Sequence, residues 1–311
     1  MASSIAKTVI ATGSSSGLGF EVIKQLLEQS QPYKVIVGAR NLKRTQDAFD
    51  ALKYDRALHS LSILPLELNN LKTVKSFATD SLTQVGSNKI DYLFLCAGIS
   101  EGADKPGPHG SKWCEPFIVN HLSQHYLVHL LREKLVESKS RLVFVSSGAI
   151  RNVPDVSVLD KQLLGASGAP RSSTYPQTKF VGLLGAHWWR RQLTGQCHVV
   201  AVSPGLIPAT NLAAGLGLSV NMADAKTVPE GNLVLAILFR NCADSIFPLG
   251  AKSLLEAFTR TDFPSDPEQI FLTSWREWWS KDVYAGSLDK ELQDKWCPSK
   301  DQIEKEENIS N

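Results

Sequence analysis

Six short β-branched runs bounded by turn residues punctuate the first two thirds of this chain, at residues 8–11, 34–37, 62–66, 92–95, 141–145 and 198–202. Between them lie longer segments with apolar residues at helical spacing, at 18–28, 71–83, 118–136 and 175–192. Strands joined through a helix pair in parallel, because such a crossover needs about a dozen residues or more. The expectation is therefore an α/β fold, a doubly wound Rossmann-type parallel sheet with helices on both faces.

Beyond Ser203 the pattern changes. Residues 206–220 are rich in Gly, Ala and Leu, show no clear strand and lead into further helical segments through Phe258. This is the expected place for a helical lid, at about 206–260, with Leu212, Leu216, Leu218 and Met222 as its apolar lining. Trp275, Trp278 and Trp279 fall at near-helical spacing within 269–279 and read as a packing stripe. A charged tail at about 285–311 is expected to fray from Lys300 on. No repeat or low-complexity linker divides the chain, so residues 1–311 read as one domain.

Thirty-three basic against 31 acidic side chains leave a formal charge of +2, too balanced for a nucleic-acid surface, so small molecules are the expected partners. The five cysteines are odd in number and never form a C-x-x-C pair, which suggests neither a disulfide framework nor a zinc site. The first residues lack the pattern of a signal peptide, and the longest apolar run, 233–239, is too short to span a bilayer. A cytoplasmic location is expected, with peripheral membrane attachment left open.

The first strand runs into Thr12-Gly13-Ser14-Ser15-Ser16-Gly17-Leu18-Gly19, followed at once by an amphipathic helix. Glycines at this spacing let the backbone turn tightly and approach a pyrophosphate at the positive end of a helix. At the end of the second strand Arg40 stands where an acidic residue would hold a free ribose 2′-hydroxyl, and it suits a 2′-phosphate, which favours NADP(H). Lys43 and Arg44 could extend that patch, although a solvated helix face is the ordinary role of such residues.

Tyr175 and Lys179 lie four residues apart, so both rise on one face of a helix. Ser147 follows the strand at 141–145, and Asn120 precedes it in a helix. A phenol has an ordinary pKa near 10 and needs a neighbouring cation to exchange its proton near neutrality. His109, His121, His125 and His129 cluster in sequence, the last three on one helical face. Without acidic or cysteine partners in a recognisable motif, they read as packing or exposed residues, and no metal is expected.

Over roughly residues 8–210 these motifs resemble the short-chain dehydrogenase/reductase family. The glycine turn, with Gly13, Ser15, Ser16, Gly17, Leu18 and Gly19, is similar to its cofactor signature. Glu67 and Leu68 sit where an acidic residue meets the adenine, and Cys96-Ala97-Gly98 occupies the N-A-G position. Pro204 and Gly205, followed by Ile207 and Thr210, match the P-G turn beside the nicotinamide. Asn120, Ser147, Tyr175 and Lys179 match the catalytic tetrad.

The resemblance implies that Tyr175 exchanges a proton with a substrate oxygen and that Ser147 orients that oxygen. Lys179 would bind the nicotinamide ribose and lower the tyrosine pKa, while Asn120 would kink its helix and hold a relay water. Asn120, Tyr175 and Lys179 thereby also contact the cofactor. Three departures stand out: Cys96 for the usual asparagine, Glu67 for the more frequent aspartate, and Thr210 one place late.

The long interval between Ser147 and Tyr175, together with the apolar lid, implies an overhanging loop and a sizeable, mostly apolar substrate. This form resembles the protochlorophyllide-reductase-like and retinol-dehydrogenase-like members and many reductases of secondary metabolism. The expected activity is NADP(H)-dependent interconversion of a carbonyl and an alcohol. Reduction of an activated C=C bond remains open, as does a non-redox role as a cyclase, dehydratase or nucleotide-sensing protein. The helices at 118–136 and 175–192 are where the family usually forms homodimers or homotetramers.

Overall fold

The computed structural model describes residues 5–205 and 243–309. Seven parallel strands form one sheet in the order β3-β2-β1-β4-β5-β6-β7. They are β1 (Lys7–Thr12), β2 (Tyr33–Ala39), β3 (Ser60–Pro65), β4 (Tyr92–Leu95), β5 (Arg141–Val145), β6 (His198–Val202) and β7 (Phe271–Leu272). Strand order reverses between β1 and β4, which places the crevice for a ligand at their carboxyl ends. Single-domain α/β architecture with helices on both faces is as expected.

Among the described residues the α-helices are α1 (Gly17–Leu27), α2 (Leu42–Asp50), α3 (Leu71–Val85), α4 (Glu115–Phe117), α5 (Ser123–Ser138), α6 (Leu159–Gln162), α7 (Arg171–Gln192), α8 (Ala243–Thr259), α9 (Lys290–Trp296) and α10 (Lys300–Glu306). One apolar cluster packs α3, α5 and α7 on the sheet through Phe77, Tyr126, Leu131, Val181, Leu184 and Trp189. The other packs α1 and α8 on the opposite face through Ile23, Leu26, Leu254 and Phe258. Residues such as Ile10 and Ile36 face the first cluster while Val9 and Val35 face the second, so each inner strand is apolar on both sides.

Four differences from the sequence reading have clear causes. The tryptophan segment is no helix: β7 leads into a tight return in which Leu272 bridges Trp278 antiparallel and the Trp279 amide donates to the Phe271 carbonyl at 2.8 Å. Thr273 receives the amide of Trp275, and Arg276 sits at φ +65, which closes a turn where helical spacing was read. Trp278 and Trp279 do pack, against Phe263 and Phe271 respectively.

The second difference concerns the lid. From Gly250 to Phe258 the chain covers the sheet rather than the crevice, since Ala251, Leu254 and Ala257 are buried and Phe258 meets Tyr92 and Phe94 at 5.0 Å each. Leu212, Leu216, Leu218 and Met222 lie outside the described residues. Third, the tail does not fray at Lys300: Ser299 and Gln302 form a capping box that starts α10, and Ile303 and Ile309 are buried. Fourth, α2 is an additional helix, capped by Asn41 but burying only Thr45 and Phe49, too few apolar positions to register as periodic.

Candidate active site

The sheet brings the predicted residues to one edge. Gly13 follows β1, Arg40 follows β2, Cys96 follows β4, and Ser146 and Ser147 follow β5, all at carboxyl ends of neighbouring parallel strands. Gly13 adopts φ +68, and a Cβ there would lie 2.4 Å from the Ala97 Cα. Gly19 has no room either, since its Cβ would lie 2.4 Å from the Gly13 carbonyl oxygen. The turn therefore folds against both the β4 exit and the start of α1. Ser16 caps α1 by backbone alone, with no side-chain hydrogen bond to the first-turn amides, an arrangement that suits an anion. Ser15 and Leu18 are half-buried within the same turn.

Arg40 is exposed at the end of β2. Lys43, by contrast, pairs with Asp47 at 2.8 Å along the exposed face of α2, the ordinary solvated role. Glu67 is exposed, its backbone fixed by Thr73, while Leu68 is buried. Beyond β6, Gly205 lies at φ +81 with its amide donating to Ser203 Oγ at 3.3 Å, and Pro204 is half-buried beside it. Ile207 and Thr210 lie outside the described residues.

Tyr175 and Lys179 project from the first half of α7, each only 6% exposed. The Ser147 side chain lies beside the Tyr175 hydroxyl. Ser147 also receives the Ala149 amide at 3.1 Å, which fixes its rotamer at the start of a helical turn, Gly148–Asn152. Lys179 donates to the Val145 carbonyl at 2.9 Å and lies 5.9 Å from the centre of the Tyr175 ring. Burial pushes the Tyr175 hydroxyl up to about 12, opposed by the Ser147 hydrogen bond, and lowers the Lys179 ammonium to about 8. At pH 7 both groups thus keep their protons. Desolvation likewise pushes the Cys96 thiol up to about 12, leaving it a neutral wall atom.

Asn120 lies inside a π-helical stretch, Ile118–Leu122, so the chain does deviate from a regular helix there. Its side chain is fully engaged: Oδ1 accepts from the Ile99 amide at 2.7 Å, and Nδ2 donates to the Ile99 carbonyl and to Thr178 Oγ1, both at 2.9 Å. Its main-chain carbonyl accepts from Gln124 Nε2 at 3.2 Å. A cavity of about 20 Å³, lined in part by Asn120, Gln124, Ser146 and Lys179, has room for one water.

Two groups near the site escaped the sequence reading. Gln124 sits one turn beyond Asn120, buried, and a polar residue at that spacing on an apolar helix was the available signal. Trp279 and Arg151 both lie beside Gly148, with the guanidinium 5.3 Å from the indole centre. Nothing local in the sequence joins residues so far apart. The loop between Ser147 and Tyr175 is pinned along its length: Trp113 bridges Leu164, the Cys114 amide donates to the Leu163 carbonyl, and the Ala103 amide to the Ala169 carbonyl.

The histidines are packing groups, as read. His121 Nε2 meets the Trp296 carbonyl at 2.8 Å, His125 Nε2 the Pro298 carbonyl at 2.9 Å, and Trp189 donates to His125 Nδ1. His129 Nε2 lies 3.2 Å from the Pro298 carbonyl as well, and His109 is exposed in its turn. Among the described residues no group of three potential ligands could hold a metal.

A family model described as short chain dehydrogenase matches residues 7–158. A short-chain dehydrogenase/reductase of Pestalotiopsis microspora is 54% identical over 309 residues, 98% of this chain and 100% of that protein. Among solved structures, an NADPH-bound carbonyl reductase from chicken fatty liver is similar with a TM-score of 0.62 at 17% identity, over 88% of this chain and 99% of that one. An NAD complex of a short-chain dehydrogenase/reductase from Burkholderia phymatum gives 0.55 at 17% identity, over 92% and 93%. Such solved structures thus hold either nicotinamide dinucleotide.

Proposed function

This chain belongs to the short-chain dehydrogenase/reductase family, and from that membership we propose that it is an NADP(H)-dependent oxidoreductase interconverting a carbonyl and an alcohol on a sizeable, mostly apolar small molecule. The observation that carries the reading is the grouping of buried Tyr175 and Lys179 on α7, the ammonium 5.9 Å from the centre of the phenol ring, with half-buried Ser147 beside the phenol. The residues present fit the cofactor. Gly13 and Gly19 let the turn fold tightly against Ala97 and onto itself, a Cβ at Gly17 would meet only open space, where a pyrophosphate could approach, and Arg40 offers an exposed guanidinium to a 2′-phosphate.

A nicotinamide dinucleotide, when bound, supplies or receives the hydride. Tyr175 gives its phenolic proton to the carbonyl oxygen as the C–H bond forms, and takes a proton back from the alcohol in the reverse direction. Ser147, its rotamer fixed by the Ala149 amide, orients that oxygen. The Lys179 ammonium stabilises the phenolate left behind and passes it a proton, and Lys179 is reprotonated through the one-water cavity it shares with Asn120. With both protons in place at pH 7, the resting site is in the form that donates to a carbonyl. Trp279 beside Gly148 supplies apolar surface for the substrate. This part of the wall and the pinned loop after Ser147 favour a molecule larger than a simple alcohol.

The test is Tyr175→Phe, assayed with NADPH against a panel of apolar ketones and aldehydes. NADPH binding by fluorescence should persist while turnover falls by about 10²–10⁴-fold, the range for a lost general acid. Full activity in this variant would sink the assignment. A parent chain that binds NADPH yet reduces nothing in the panel would favour a non-redox role.

A further inference from the structure

Gln124 has no part in the tetrad, yet its buried carboxamide contacts the end of β1, the segment after β4 and the π-helical stretch that carries Asn120. Nε2 donates to the Ala97 carbonyl at 3.0 Å and to the Val119 and Asn120 carbonyls at 3.2 Å each. Oε1 accepts from Thr12 Oγ1 at 3.4 Å, and the same hydroxyl receives the Ala97 amide at 3.4 Å. Carbonyls can only accept, so three of them around one end of the amide and a hydroxyl at the other fix its orientation. The residue is 5% exposed, so bulk solvent competes little for these bonds.

The contacts form a continuous chain from nucleotide turn to reacting groups. Gly13 lies against the Ala97 backbone so closely that a Cβ would sit 2.4 Å from it. The Ala97 carbonyl is held by Gln124, which also holds the Asn120 carbonyl. Asn120 in turn clamps Ile99 through two hydrogen bonds, and the adjoining Gly98 lies against the Lys179 ammonium, where a Cβ would be 3.2 Å from Nζ. We propose that Gln124 is a positioning residue that joins the dinucleotide turn to the Asn120–Lys179 side of the site, so that cofactor affinity and turnover depend on one amide. The inference rests on the oxidoreductase reading for its kinetic half and on nucleotide binding alone for the other half.

The test uses the full-length protein with Gln124→Met, which preserves volume but cannot donate, and Gln124→Glu. Both should weaken NADPH binding by about tenfold, the scale of a lost buried hydrogen-bond set, measured by quenching of tryptophan fluorescence. Turnover should fall by a similar factor while the KM for the carbonyl compound stays within about twofold, as expected when an interaction made in the transition state is lost. Gln124→Glu adds a pH signature that mere loss of packing would not produce. At about pH 8 its carboxylate faces carbonyl oxygens, whereas at about pH 5.5 the protonated acid regains one donor and affinity should recover toward that of the parent. If Gln124→Met does not fold, this pH recovery decides the matter. NADPH affinity within twofold of the parent in both variants at both pH values overturns the proposal. A parent that binds NADPH but reduces no carbonyl overturns the oxidoreductase reading and leaves the affinity comparison to decide Gln124.

Discussion

Acid should loosen this protein well above the range where carboxylates titrate, because several histidines are buried neutral. His121 is 3% exposed and His187 fully buried; burial lowers the first to about 4 and the second to about 3. In the unfolded chain each returns to about 6.5. The unfolded state therefore binds protons that the native state refuses, and the stabilising preference for neutral histidine is fully present above pH 6.5 and is lost as pH falls below it. At pH 5 linkage gives about 2 kcal/mol lost for each, about 4 kcal/mol for the pair. His125 and His129 are lowered for the same reason and add to the loss. That is a large part of a total stability of about 5–15 kcal/mol. Urea unfolding followed by circular dichroism at pH 7.5, 6.5, 5.5 and 5.0 should show stability dropping steeply between the second and last of these. His121→Gln keeps a donor for the Trp296 carbonyl but cannot titrate, and it should reduce proton uptake on unfolding near pH 5.5 by about 0.9. Stability that stays flat from pH 7 to 5, or an unchanged slope in the variant, would refute the reasoning.

Arg40→Asp should move the ratio of kcat/KM for NADPH over NADH toward NADH by at least about tenfold, since a charge-assisted contact to phosphate is replaced by repulsion; an unchanged ratio would remove Arg40 from the cofactor site. Gly13→Ala must hold a side chain at φ +68 against the Ala97 backbone, which costs about 1–2 kcal/mol for the conformation alone. A melt and an NADPH titration both equal to the parent would show that the turn is not under this constraint.

The sheet was legible because parallel strands buried on both faces are written as apolar runs, and the boundaries read for β4, β5 and β6 coincide with those in the structure. Part of the candidate site was legible for a related reason: Gly13, Arg40, Cys96 and Ser147 follow strand ends, which a parallel sheet must gather on one edge, whereas Asn120, Tyr175 and Lys179 were read from their helical spacing and order. What stayed hidden depends on contacts between distant segments. The strand β7 has two residues, and its place is set by the main-chain bonds that Ala201 and Ser203 donate to it and its neighbour Ile270. The Ser299 cap was written in the sequence, but the charged composition of α10 outweighed it until Ile303 and Ile309 were seen to be buried. Trp279 beside Gly148 and Gln124 beside Ala97 follow from the fold rather than from any motif.

The C-terminal segment has a consequence for how the chain reaches this state. Carbonyls at residues 296 and 298 receive His121 and His125, Glu304 receives the Tyr126 hydroxyl at 2.7 Å, and Arg191 holds Gln293 at 2.8 Å. The helices that carry Asn120, Tyr175 and Lys179 are therefore sealed by residues made more than 100 positions later in synthesis. A nascent chain that lacks residues 293–304 exposes histidine and tyrosine groups that the folded protein covers. Such non-local closure slows folding and leaves intermediates prone to aggregate. Emergence of this segment, rather than completion of the glycine turn, is then the moment at which the helices bearing Asn120, Tyr175 and Lys179 acquire their rigid backing.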